Sequence, residues 1–192
     1  MEIQHVSLKL HLEHSGEVDL EPLIPIFHDW VREQSCEETL VDVADYRHVP
    51  AGPGILLVGH EADFSLDWGD NRLGVLYNRK ARLGGENRVR FRQALRAVLT
   101  TCSKLEEDGR LEGKLGFESR AFELGVNDRL LAPNNPETYA SLSPEIASFC
   151  DGLFGRNNYA VTHQADPRRR FSVLVETPRP MDRSGLLKAL SP

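Results

Sequence analysis

Apolar and polar positions alternate through the first dozen residues. Val6, Leu8, Leu10 and Leu12 share one face, and His5, Ser7, Lys9, His11 and Glu13 share the other. A period of two over this length predicts a half-buried strand, closed by a turn at Gly16. After Asp19, a candidate N-cap, the positions Leu20, Leu23, Ile24, Phe27, Trp30 and Val31 recur at helical spacing. Pro22 and Pro25 stand in the first turns, where a missing N–H costs least, so a helix is expected over about 21–34.

The next stretch reads as an antiparallel meander. Leu40–His48 predicts a strand that Pro50-Ala51-Gly52-Pro53-Gly54 turns back into Ile55–His60. With the turn centred on Gly52, His48 is expected opposite Ile55, and Val43 opposite His60. Phe64–Trp68 and Leu73–Asn78 form a second hairpin around Gly69-Asp70-Asn71. Asn87 can then cap a helix whose stripe is Phe91, Ala94, Leu95, Val98, Cys102 and Leu105.

The second half repeats this order in outline. A strand is expected between Lys114 and Val126, with Phe122, Leu124 and Val126 alternating. Asn134-Asn135-Pro136 opens a helix with a cap and a first-turn proline, and Pro144 should interrupt it. Tyr159–Gln164 and a last strand carrying Phe171, Val173 and Val175 flank a turn at Asp166-Pro167. Residues 1–178 therefore read as a single α+β domain, an antiparallel sheet with helices on one face and ferredoxin-like β-α-β-β halves as the layout. The tail, 179–192, is expected to be loosely held, with Leu186, Leu187 and Leu190 available for a short helix.

Composition changes little in this picture. Of 192 residues, 40% are hydrophobic and 27% charged, which is enough to build a core without a metal or disulfide. Cys36, Cys102 and Cys150 are far apart, odd in number and without metal-ligand spacing, so they read as reduced, mostly buried thiols. The start, Met1-Glu2-Ile3-Gln4-His5, lacks the basic and apolar segments of a secretory leader. The longest aliphatic run, Ile55-Leu56-Leu57-Val58, is too short to cross a bilayer. A cytoplasmic protein with no membrane association and no cofactor is expected.

Charge changes more. The net value is −6, which disfavours a general nucleic-acid binder, yet Arg79–Arg96 holds seven cations against Glu86 alone. Arg88, Arg92 and Arg96 fall at i, i+4 and i+8 on the helix that follows Gly84-Gly85. Arginine forks and a helix start both attract phosphate or carboxylate. Arg79, Lys80, Arg82, Arg88, Arg92 and Arg96 are therefore the candidate anion-binding residues, for a phosphorylated small molecule or an acidic partner. The competing reading pairs them with the chain's 29 acids across the surface, or across a homo-oligomer contact.

Catalytic patterns are sparse. His60 and Asp63 are the alternative metal-ligating pair, which would make a small metal-dependent hydrolase. His5-Val6-Ser7-Leu8 resembles the His-x-Ser/Thr-apolar motif on strands of 2H phosphoesterases and RNA ligases. In that family each of two lobes contributes one motif, with one histidine as base and the other as acid on a phosphodiester. Here the second copy is missing, since His48 precedes Val-Pro, His60 precedes Glu-Ala and His163 precedes Gln-Ala. The loop Asn127-Asp128-Arg129 and the run Asp166-Pro167-Arg168-Arg169-Arg170 read as turn chemistry and local salt bridging. The preferred reading is a non-catalytic binding or regulatory module.

Overall fold

A computed structural model describes residues 1–14 and 18–191; the expected turn at Gly16 lies outside the described residues. The elements, in chain order, begin with β1 (Val6–His11), α1 (Leu23–Glu33), β2 (Leu40–Tyr46), β3 (Gly54–Gly59), β4 (Ala62–Asp67) and β5 (Gly74–Arg79). They continue with α2 (Asn87–Glu107), β6 (Ala121–Val126), α3 (Pro136–Phe154), β7 (Ala160–His163), β8 (Phe171–Glu176) and α4 (Arg183–Leu190). All eight strands join one antiparallel sheet in the order β2-β3-β4-β5-β1-β6-β8-β7. The protein is thus an α+β fold.

The order has an internal logic. The first half runs strand, helix, meander, and its last strand β5 returns beside β1. The second half runs strand, helix, hairpin, and its last strand β8 returns beside β6. β1 and β6 then pair with each other and join the halves into one sheet. That order does not by itself make ferredoxin-like halves, although each half keeps its β-α-β-β outline.

Alternation assigns the two sheet faces. Val6, Leu8 and Leu10 align through the ladders with Val75, Tyr77, Phe64, Leu57, Leu124 and Val173, all of them buried. The helices cover this face. Phe122 of β6 meets Phe154 of α3, Tyr77 of β5 bonds Gln93 of α2, and Lys104 of α2 lies over the Trp30 ring of α1. α4 rests on α2 through Leu186 and Leu190, and Arg92 donates to the Ala189 carbonyl. Leu186 and Leu190 of α4 belong to the buried core.

Three local readings differ from the structure. β2 ends at Tyr46, which pairs with Gly54, so Val43 faces Leu57 rather than His60. Arg47 and Asp45 form a bidentate pair that closes the strand early, and Gly54 holds a left-handed φ of 60° where a Cβ would strike the Leu66 carbonyl. Before β6, the segment from Lys114 makes a single bridge, Leu12 to Phe117, in place of a strand. α3 runs unbroken through Pro144. Pro144 has no N–H to offer the Ala140 carbonyl, and the Ser143 hydroxyl donates to that carbonyl at 3.3 Å instead.

Leu8 lies at the middle of the core and Leu130 is 97% exposed on a loop. Leu8→Ala should lower unfolding free energy by about 2–5 kcal/mol in urea titration, whereas Leu130→Ala should change it by less than about 0.5 kcal/mol.

Candidate ligand-binding site

The other sheet face carries no helix, and its residues follow the same registers. Ser7, Gly125 and Ser172 form one row across β1, β6 and β8. Leu76, Lys9 and Glu123 form the next row across β5, β1 and β6. Asp67, Gly74 and His11 form a third across β4, β5 and β1. These positions alternate with the core and read as a solvated polar face in sequence. Yet Lys9 is only 6% exposed, His11 4% and Ser172 5%.

Two loops fold over this face from opposite ends of β1. The β4–β5 loop brings Gly69 and Asp70, the β7–β8 loop brings Arg168, Arg169 and Arg170, and Arg129 comes from the loop after β6. Together with Ala51 they wall a cleft of about 490 Å³ whose floor is Ser7, Lys9, Leu76, Glu123, Gly125 and Ser172. Arg169 reaches across it to pair with Asp70, and also stands 3.7 Å from Glu123. This contact links the two loops over the strands between them.

Each wall is fixed by its own chemistry. The Lys9 ammonium donates to Asp67 Oδ1 at 2.6 Å and to the Gly69 carbonyl at 3.0 Å. The Gly69 N–H donates to the same carboxylate oxygen at 2.8 Å. A Cβ on Gly69 would stand 2.7 Å from that oxygen, so any other residue would have to push the carboxylate off its bonds to Lys9 and the Gly69 N–H. On the opposite wall, Asn134 donates through Nδ2 to the Gln164 and Asp166 carbonyls, and its Oδ1 bonds His163 Nε2 at 2.7 Å. Asp166 then takes a bidentate fork from Arg168, and Arg129 Nη2 donates to the Arg168 carbonyl at 2.6 Å. Arg168 and its neighbours hold the Asp166 carboxyl down to about 2. The arginine loop is therefore preformed.

The floor has a gap in its bonding. Gly125 stands between Ser7 and Ser172, and a Cβ there would come within 2.7 Å of Ser7 Oγ. The Ser172 hydroxyl is buried and has no protein partner among the described residues. A buried hydroxyl without a partner costs about 1–3 kcal/mol, so a group that supplies one is favoured.

The residues singled out from sequence fare differently. Arg79 bonds the Ala81 carbonyl and lies 4.0 Å from Glu38, and Lys80 pairs with Asp63 at 2.7 Å. Arg92 is engaged by α4, and Arg96 pairs with Glu37 at 2.5 Å. Arg82 and Arg88 are exposed and have no ion-pair partner among the described residues. Within the same run Arg90 is buried and bonds Leu83, Asn87 and Glu2. Arg88, Arg92 and Arg96 thus lie on α2 while Arg79, Lys80 and Arg82 precede it, and four of the six are turned to α4, to the segment after α1, to the start of β4 or back on their own loop.

His60 and Asp63 sit at the β3–β4 turn, where Asp63 accepts from Lys80 and from the Gly59 N–H. His60 is largely exposed, with Glu61 at 3.7 Å. Among the described residues no three of His, Cys, Asp and Glu converge as a metal site would need. Of the motif at His5, Ser7 reaches the cleft and His5 does not line it. Burial raises the thiols of Cys36 to about 11 and Cys150 to about 12, so both stay protonated.

In sequence Arg168–Arg170 and Arg129 read as turn residues and Lys9 as part of the polar side of the first strand, whereas Lys9 is buried. The sequence signals for them are three consecutive arginines after the Asp166-Pro167 turn and a lone lysine among the polar positions of the first strand.

In sequence the chain matches no protein-family model and no curated protein. No helix among the described residues is long and apolar enough to cross a membrane.

His11 gives a test of how closed this face is. Burial, Arg72 and Lys9 press its pKa down to about 4 from an ordinary 6.5, so it is neutral when folded. Protonation therefore favours the unfolded chain. The stabilisation is whole above pH 6.5 and is lost as pH falls toward 4, amounting to about 3 kcal/mol. Urea unfolding at pH 7 and pH 4.5 should show this loss, and His11→Gln should make the difference between the two pH values smaller.

Proposed function

We propose that the chain is a ligand-binding module whose helix-free cleft takes a small phosphate-bearing molecule. The observation that carries this is the buried, unpartnered Ser172 hydroxyl in the floor of a preformed cleft rimmed by Arg129, Arg168 and Arg170. Arg129 and Arg170 make no ion pair among the described residues, and Arg168 has a partner only in its own loop, Asp166. Guanidinium groups grip phosphate oxygens in paired hydrogen bonds, and a cleft with low-dielectric walls strengthens that attraction.

The stripe Arg79, Lys80, Arg82, Arg88, Arg92 and Arg96 supports the reading less well. Four of these six spend their charge or their donors inside the protein. An acidic protein partner on that surface, a homo-oligomer and a cytoplasmic setting are all compatible with the reading, but none supplies a pocket. Among the described residues no three potential metal ligands converge at His60, and His5 does not line the cleft, so the hydrolase alternatives have less support.

Inorganic phosphate at low salt should raise the melting temperature, because binding to the folded state alone stabilises it. Calorimetric affinity for phosphate should fall about fivefold for each of Arg129→Ala and Arg170→Ala, in line with about 1 kcal/mol per exposed charged contact. Loss of binding in Arg88→Ala with Arg92→Ala, and not in the cleft variants, would move the site to the α2 stripe. Absence of any phosphate binding would overturn the proposal.

A further inference from the structure

The cleft is not uniformly basic. Its arginines gather at the end where Ser7, Gly125 and Ser172 form the floor, and its carboxylates lie farther along, at Glu123 in the next row and at Asp67 and Asp70 beyond. Two residues along a strand span about 7 Å and four span about 13 Å, so the acidic end begins one sugar's length from the basic end. Asp67 uses Oδ1 for both Lys9 and Gly69, and among the described residues Oδ2 has no donor. Among the described residues Glu123 has one ion-pair partner, Arg169, at 3.7 Å.

Resting on the phosphate reading above, we infer that the ligand is a phosphorylated polyol or sugar, with phosphate at the arginine end and hydroxyls toward Glu123, Asp67 and Asp70. Carboxylate oxygens with spare lone pairs accept from neutral hydroxyls without demanding a second charge. A ligand ammonium would have to compete with Lys9 and Arg169, which already hold these carboxylates. A nucleobase finds no platform. The aromatic residue among the lining is Phe171, 1% exposed, whose ring packs in the core against His163. The Ser172 hydroxyl completes the set, since it can donate to a phosphate oxygen or accept from a ligand hydroxyl. Because that hydroxyl is buried and Arg169 spans the cleft, binding requires Arg169 to leave Asp70.

Isothermal calorimetry on the whole chain separates these claims with three probes: inorganic phosphate, ribose 5-phosphate and adenosine 5′-monophosphate. Ribose 5-phosphate should bind at least tenfold tighter than inorganic phosphate, and adenosine 5′-monophosphate no tighter than ribose 5-phosphate. Glu123→Gln and Asp70→Asn should each cut the sugar phosphate's advantage to less than threefold without weakening inorganic phosphate, since each also loosens a carboxylate's hold on Arg169. Asp70→Asn is the safer variant for folding, since asparagine tolerates the left-handed φ of 62° found there. Equal affinities for phosphate and ribose 5-phosphate would overturn the inference and leave the phosphate site standing. Tighter binding of the nucleotide would overturn it in favour of a base-reading site. No binding of any probe would remove both.

Discussion

Lys9 sets the terms for the helix-free face of this protein. An ammonium buried at mid-sheet costs several kcal/mol unless a counter-charge and further acceptors meet it. The structure meets it with Asp67 at 2.6 Å, the last residue of β4, and the Gly69 carbonyl at 3.0 Å, in the β4–β5 loop. That loop must therefore curl over the sheet rather than away from it. Once it does, Asp70 stands where Arg169 from the opposite loop can reach it, and a cleft is enclosed between them. The charge in the floor dictates the walls.

The helix-covered face works on a different principle. There the strands β1, β4, β5, β6 and β8 present aliphatic and aromatic residues at every second position, and α1, α2 and α3 bury them. A polar network enters this layer where Glu38 Oε1 accepts from Tyr77 and Gln93. Burial and the nearby Glu38 carboxylate raise the Tyr77 phenol well above its ordinary value, so it remains a donor. The same alternation that makes one face a core leaves the other free to hold polar groups. Function, on this account, was placed where no helix needs the surface.

Much of the fold could be read from period and punctuation. The strand at Val6–His11, the helix at Leu23–Glu33 and the stripe from Phe91 to Leu105 follow the apolar pattern closely. Registers were less legible, because Asp45 and Arg47 end β2 by an ion pair that no periodicity reveals. Pro144 misled for a similar reason, since a serine hydroxyl supplied the bond that the proline removed. The cleft was the least legible part. Lys9, Glu123 and the segment Arg169–Ser172 lie far apart in sequence, and only the order β5-β1-β6-β8 brings them together. Arginine density drew attention to Arg79–Arg96, whose cations turned out to be largely engaged within the fold.

The central claim is that anions enter the cleft and not the α2 stripe. A ¹H–¹⁵N spectrum of the assigned protein, titrated with inorganic phosphate at low salt, tests this most directly. The account predicts saturable shifts at the amides of residues 123–129 and 168–172, with residues 86–96 unmoved. Shifts confined to residues 82–96, or a spectrum that phosphate leaves unchanged, would contradict it.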